Sequence, residues 1–347
     1  MNFYTQQHKH SYGIDLPARA MYVCILDQAG MKLAYKNLPT TPEAFLRTVT
    51  PYREDLVVAV ECIFTWWWLA DLCAQEGIAF VLGHALSMKA SHGGKVKNDK
   101  IDAHKIAVLL RGGMIPRAYV YPPEMRAPRD LLRRRWYLMR KRAELLAHIQ
   151  NTNSQYNLPD FGKKLAYKAN RAGVEEHFPD PSVRKTIELD GALIDHYDKL
   201  LSEVELYITR TAKDHAAQSF SRLHSVPGLG QILALVLLYE IQDITRFPRV
   251  QDFISYCRLV KCAKESAGKR HGFSGKKIGN PRLKGAFSEA APLFLGQHHP
   301  DKEYFAKLER KHGKGKALTV LAHKLARAVY YMLTRAQAFD RQRFVTA

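Results

Sequence analysis

Asp99 and Asp102 stand three residues apart in Lys97-Asn-Asp-Lys-Ile-Asp-Ala-His-Lys105, where the apolar helical stretch 106–110 begins. Positions i and i+3 share one face of a helix, and lysines at 95, 97, 100 and 105 surround the pair. Two like charges this close repel unless a cation lies between them, and a hard divalent ion such as Mg2+ takes oxygen ligands of this kind. The same residues also suit a plain helix start, with Asn98 or Asp99 as N-cap and Asp102 in the first turn against the dipole. Two further acids bear on the choice. Asp15 ends the short segment 11–15, and Glu61 ends the near-continuous apolar run 56–61. An acid at the tip of a buried strand is costly unless it is paired or metal-bound. Taken singly, Asp15 reads as a turn former before Pro17 and Glu61 as a strand-end charge. Their order is more telling: an acid on the first strand, another on the fourth, and paired acids on a following helix. That oxygen-only set of Asp15, Glu61, Asp99 and Asp102 favours Mg2+ over zinc.

The elements that must carry these acids read as α/β. Strands are expected over 11–15, 20–27 and 32–37, a helix from Thr41, a strand over 56–61, a helix over 65–76 and a strand over 79–82. The succession βββαβαβα matches a ribonuclease-H-like domain. Trp66, Trp67 and Trp68 read as packing residues rather than a base-stacking platform, which needs exposure. From Pro122-Pro123 the character changes. A long helix is expected over 126–150, with Leu132, Trp136, Met139, Ala143 and Leu146 at heptad spacing, and a second stripe runs through Ile194, Tyr197, Leu201, Val204 and Ile208. Two such helices form either an antiparallel hairpin or a coiled coil between subunits, with residues 151–184 irregular between them. Arg129, Arg133, Arg134, Arg135, Arg140, Lys141 and Arg142 face only Asp130 and Glu144, more than a solvated face requires, so phosphate contact is expected there.

The 347 residues carry a net charge of +20 and a pI near 9.7, which calls for a polyanionic partner, nucleic acid first. The longest apolar run, 232–239, is far below the ~20 residues of a membrane-spanning helix, and the first ten residues hold no apolar signal core. A bacterial cytoplasmic, nucleoid-associated protein is therefore expected. Five scattered cysteines read as reduced thiols. Cys257, Cys262 and His271 lack the tight ligand spacing of a structural zinc site. In the last third, Ser225-Val-Pro-Gly-Leu-Gly-Gln231 leads into an apolar helix. Its Gly228 and Gly230 belong either to a helix-hairpin-helix turn that holds a DNA phosphate or to a plain interhelical turn. Downstream, residues 261–285 carry eight Lys or Arg against the single acid Glu265. Lys269, Arg270, Lys276, Lys277, Arg282 and Lys284 there suit a backbone polyanion, and the stretch also contains Ser266 and Ser274.

Taken together, Tyr12-Gly-Ile-Asp15, Val58-Ala-Val-Glu61, Lys97 to Ala103, Val226-Pro-Gly-Leu-Gly230, Glu265-Ser266 and Gly279-Asn-Pro-Arg-Leu-Lys284 resemble the RNA-guided DEDD and serine transposases of insertion sequences. These are also called bridge-RNA recombinases and are relatives of the Piv-type DNA invertases; the likeness runs nearly full length. It implies a RuvC-like DEDD domain over 1–122 and a helical coiled-coil segment over 123–218. Residues 219–347 would then form a mainly helical transposase domain with a nucleophilic serine, which by position is Ser266. Ala267-Gly268-Lys269 follow where the family commonly continues with Gly and another Ser, so Ser274 stands as the second candidate. The resemblance further implies Mg2+ at the acids, donor and target DNA, a structured noncoding guide RNA, a homo-oligomer (dimer or tetramer) and a composite site assembled between subunits. The expected reaction is strand exchange through a phosphoserine linkage. The alternatives are a Piv-like invertase, a RuvC-like nuclease that uses water, and a noncatalytic nucleic-acid binder whose acids cap helices.

Overall fold

The computed structural model describes residues 2–91, 99–211, 216–260, 262–274, 278–296 and 299–346. The chain divides into two compact units, Met1–Pro123 and Glu124–Ala347: an N-terminal unit built on a sheet and a mainly helical C-terminal one.

In the first unit, β1 (Phe3–Tyr4) pairs antiparallel with β7 (Ile115–Pro116). The principal sheet holds β2 (His10–Asp15), β3 (Ala20–Asp27), β4 (Lys32–Pro39), β5 (Leu56–Glu61) and β6 (Ala79–Gly83). Its order is β4-β3-β2-β5-β6. The first three strands form an antiparallel meander, whereas β5 runs parallel to both β2 and β6. The expected spans 20–27 and 56–61 are met, and the third strand runs on to Pro39. Helix α1 (Pro42–Val49) starts at Thr41, whose hydroxyl caps the Ala44 amide at 3.3 Å. Helix α2 (Trp67–Gln75) begins two residues later than its apolar pattern, because Thr65 donates its hydroxyl to the Leu16 carbonyl at 2.6 Å instead. Then come α3 (Ala85–Ser91) and α4 (Asp99–Arg111).

Side chains alternate across the sheet with period two. Tyr12, Ile14, Val58 and Val60 pack with Phe45, Val49, Leu69 and Cys73 of α1 and α2. On the opposite face Val57, Ala59 and Val81 pack with Ile106, Leu109 and Leu110 of α4, while Cys24 and Leu26 meet Ala103 and Ala107. Two apolar faces need two covers, so the sheet lies between α1/α2 and α4.

The second unit opens with two long helices, α5 (Pro123–Gln155) and α6 (Pro181–Thr211), joined by a segment with two short 3-10 turns. Ion pairs join Arg135 to Glu205 at 2.6 Å and Arg142 to Asp198 at 2.5 Å, and a hydrogen bond joins His148 to Asp190 at 2.5 Å. As the α5 number rises the α6 number falls, so the helices are antiparallel. The heptad stripe expected on α5 is corrected: Leu132, Leu138 and Ile149 are buried, whereas Trp136 and Met139 are 36% and 38% exposed. Arg135 and Arg142 occupy seam positions that an apolar pattern search passes over, because their aliphatic stems pack while their heads pair.

The remainder comprises α7 (Ala217–His224), α8 (Gln231–Ile241), α9 (Val250–Tyr256), β8 (Cys262–Ser266), β9 (Lys269–Ser274), α10 (Pro281–Leu295), α11 (His299–His312), α12 (Lys314–Thr334) and α13 (Arg341–Thr346). Helix α8 is apolar on every side and therefore central; Leu233 to Ile241, Val236 excepted, are all buried. Phe253, Leu283, Phe287, Phe294, Leu321 and Leu325 pack in the same core. Among the described residues no helix is long and apolar enough to cross a membrane.

Candidate active site

The register of β2 on β5 pairs Ile14 with Val60, so Asp15 and Glu61 follow side by side at the carboxyl ends of parallel strands. Asp15 lies two residues beyond Gly13 and Glu61 two beyond Ala59, which places both on the α4 face of the sheet. Helix α4 sits directly on Gly13: a Cβ there would lie 2.3 Å from the Ala107 nitrogen and 2.4 Å from the Ala103 oxygen. Asp102 adjoins that contact. The Thr65–Leu16 hydrogen bond ties the loop after Glu61 to the residue after Asp15, and this loop holds up Phe64, 83% exposed. Sequence reading weighed the neighbouring tryptophans and passed over Phe64, whose exposure only the fold reveals.

Asp102 is half-buried and pairs with Lys105 at 3.2 Å; Asp99 is exposed at the start of α4. Among the described residues no three His, Cys, Asp or Glu side chains are grouped to hold a metal ion. Lys97 and Asn98 of the motif, with Lys95, lie outside the described residues. Gly13→Ala is expected to lift α4 off the sheet, at a cost of about 1–3 kcal/mol typical of overpacking. A thermal melt should show the lower Tm and a cleavage assay a larger loss, because Asp102 moves with the helix. Unchanged cleavage would dissociate α4 from the site.

The second unit carries a site of a different kind. Glu240, 2% exposed in the middle of the apolar core, receives Arg133 Nε at 2.8 Å, Arg129 Nε at 3.0 Å and the Asn280 amide at 2.8 Å. Burial pushes its carboxyl up, but the Arg133 hydrogen bond, the Arg129 and Arg133 charges and the Asn280 amide outweigh this and hold it at about 2. Asn280 also caps α10 through the Arg282 and Leu283 amides at 2.9 and 3.2 Å. The glycines beside these residues serve packing. Gly279, at φ +89°, would bring a Cβ to 2.6 Å from the Tyr256 carbonyl, and Gly228, at φ +82°, to 2.5 Å from the Phe294 nitrogen. Gly230 caps α8 in an extended conformation with open space around it.

Ser266 ends β8 and pairs in register with Lys269 of β9. Between them only Ala267, at φ +49°, and Gly268, at φ +71°, make the turn. Two successive left-handed residues define the type I′ hairpin. Ala267 accepts a conformation that glycine adopts freely and alanine resists by about 1 kcal/mol. Ser266, Lys269 and His271 are all exposed.

Two family models match the chain. One, described as a transposase of the DEDD type in IS110 elements, spans residues 12–157, and one described as the IS116/IS110/IS902 transposase family spans residues 220–306. The chain belongs to the IS110/IS116 family of transposases. It is similar to the transposase of insertion element IS1111A from Coxiella burnetii, 23% identical over 94% of this chain and 90% of the relative. It is also similar to the transposase of IS1328 from Yersinia enterocolitica, 25% identical over 95% and 98%. The protein is thus a DNA transposase, and DNA is what it acts on.

The transposase uses its α5 cations unevenly. Arg133 and Arg135 are engaged with Glu240 and Glu205. Arg134 and Arg140 are exposed, with guanidiniums 5.4 Å from the Tyr137 ring and 4.9 Å from the Trp136 ring. Arg282 is half-buried, with its guanidinium 5.5 Å from the Trp136 ring, and Lys284 is exposed. Lys276 and Lys277 lie outside the described residues, as do the side chains of Arg270 and Ser274. Replacing Arg134 and Arg140 together with alanine is expected to lower the slope of log affinity against log salt by about 2, one per lost phosphate contact. An unaltered slope in a filter-binding series would show that this face meets no nucleic acid.

Proposed function

We propose that the transposase is an RNA-guided recombinase that cleaves and exchanges DNA strands through a phosphoserine intermediate. Asp15, Glu61, Asp99 and Asp102 of a RuvC-like domain would hold Mg2+, and Ser266 would be the nucleophile. The observation that carries the acidic half is the pair of neighbouring strand ends, Asp15 and Glu61, on the face covered by α4, with Asp102 beside the Gly13 contact. The sheet order β4-β3-β2-β5-β6 supports the ribonuclease-H-like reading. Carboxylates alone suit a hard divalent ion. Asp102 would have to exchange Lys105 for that ion, and a surface i,i+3 pair worth about 0.3–0.5 kcal/mol is no obstacle. If bound by these carboxylates, such an ion would supply charge neutralisation at a phosphate oxygen.

Ser266 fits the nucleophile's task because it stands exposed beside a two-residue hairpin turn. In the first step its Oγ forms a bond to phosphorus, the P–O3′ bond breaks, and the proton leaving Oγ ends on the released 3′ oxygen. A 3′ hydroxyl of the exchanged strand then attacks the phosphoserine and restores the serine, so no external energy source is needed. Apolar side chains left uncovered on α6, Leu189, Leu193 and Tyr207 at 55%, 46% and 60% exposure, support a second copy as partner. Guide RNA rests on the family resemblance and on a charge of +20, which suits a polyanionic partner.

The test uses the full chain with Mg2+, guide RNA and DNA nicked next to the scissile phosphate, so that the intermediate is trapped. Proteolysis and mass spectrometry should then find a nucleotide on Ser266, and Ser266→Ala should bind DNA yet form none. A nucleotide on Ser274 would reassign the nucleophile. Cleavage by Ser266→Ala with no protein–DNA adduct would replace the serine mechanism with water attack at the acids.

A further inference from the structure

We propose that Lys269 is a catalytic residue that binds a non-bridging oxygen of the scissile phosphate while Ser266 attacks it; this rests on the assignment of Ser266 as nucleophile. Register and turn carry the inference. Ser266 and Lys269 are directly opposed across the β8–β9 ladder and flank a turn of two left-handed residues. Directly opposed residues project their side chains to one face with Cβ atoms about 4.5–5.5 Å apart. A four-carbon stem on Lys269 therefore reaches any phosphate within attacking distance of the Ser266 hydroxyl. The ammonium and the hydroxyl are also fixed to each other by one hairpin, so whatever places the serine places the cation.

Charge is the second argument. Attack by a serine oxygen gathers negative charge on the equatorial phosphate oxygens, and a donor aimed at that charge is worth more in the transition state than in the bound ground state. Both residues are exposed. Among the described residues no carboxylate pairs with Lys269. The nearest acid in sequence, Glu265, is paired in register with Arg270 rather than with Lys269. Period two along β9 places His271 on the Lys269 face.

The experiment compares wild type, Lys269→Ala, Lys269→Arg and Ser266→Ala in single-turnover adduct formation. Each acts on a DNA whose scissile phosphate is either native or a methylphosphonate, which lacks one charged oxygen. On native DNA, Lys269→Ala should form the serine adduct about 10²–10³-fold more slowly, the range for losing one preorganised donor, with DNA affinity changed less than about threefold. Lys269→Arg should recover part of the rate. On the methylphosphonate the gap between wild type and Lys269→Ala should narrow to within tenfold, because the charge that Lys269 would meet is gone. An equal penalty on both substrates, or an adduct rate in Lys269→Ala equal to that of wild type, overturns the role of Lys269. If wild type forms no adduct on Ser266 while DNA is cut, the failure lies with the serine mechanism instead.

Discussion

Asp102→Asn is expected to abolish DNA cleavage and leave the fold intact. The two effects separate by magnitude. In the folded protein Asp102 makes one half-buried i,i+3 pair with Lys105 at 3.2 Å, worth about 0.3–0.5 kcal/mol, and asparagine retains its size and its suitability for the first turn of α4. In the proposed reaction the same carboxylate is one of four that balance a divalent cation against a phosphodiester. Losing a ligand charge there costs several kcal/mol of transition-state stabilisation, on the order of 10³-fold or more in rate. Asp15→Asn should behave alike, since Asp15 and Glu61 stand at neighbouring strand ends and in the proposed site would serve the same cation. The measurement is cleavage against Mg2+ concentration, with circular dichroism as the control on folding. Full activity with an unchanged Mg2+ dependence would leave Asp102 as a plain helix-start residue.

Glu240→Ala should unfold much of the second unit. Glu240 is buried among hydrophobic side chains of α8 and holds Arg129 and Arg133 of α5 and Asn280 of α10. Removing one member of a buried ion network leaves the others desolvated and uncompensated, at a cost of about 3–5 kcal/mol, a large share of the stability of an ordinary domain. Glu240→Gln keeps the shape and part of the hydrogen bonding and should cost less. Acid exposes the same network. The carboxyl lies at about 2 in the folded protein against 4.5 as a free side chain. Its contribution is therefore complete above about pH 4.5 and is lost as the pH falls from there through 2. The difference corresponds to roughly 3 kcal/mol. The stability gap between wild type and Glu240→Gln, followed by denaturant melts, should shrink over that window. A gap constant from pH 7 to pH 2.5 would mean that Glu240 contributes only by shape.

The placing of the arginines follows from this network. Counting charges from Arg129 to Arg142 on α5 finds seven cations and treats them as one surface. In the folded chain Arg129 and Arg133 turn to Glu240, and Arg135 and Arg142 turn to Glu205 and Asp198, which leaves Arg134 and Arg140 exposed. A triple replacement at 133, 134 and 135 would therefore confound nucleic-acid binding with folding, whereas the pair at 134 and 140 does not.

The sequence by itself determined the five strands of the principal sheet, the helix start at Thr41, and the likeness that points to a transposase. Strand runs such as 56–61 and capping residues such as Thr41 act through neighbours a few positions away, so their physics is local and readable in order. It also marked Asp15 and Glu61, since acids at the tips of apolar strands are out of place without a partner. Tertiary structure alone decided that these two stand side by side, because only the parallel register of β2 on β5 aligns residues 46 apart. It decided that Gly13 is the seat of α4 and that Gly228 and Gly279 are pressed against backbone, roles that a glycine in a string of letters does not announce. It also converted Glu240, one acid in an apolar helix, into the centre of a network with residues more than a hundred positions away in α5. The heptad stripe on α5 misled for a matching reason. Periodicity counts hydrophobic residues, but the face a helix buries is set by what lies opposite, and opposite Arg135 and Arg142 stand the carboxylates of Glu205 and Asp198.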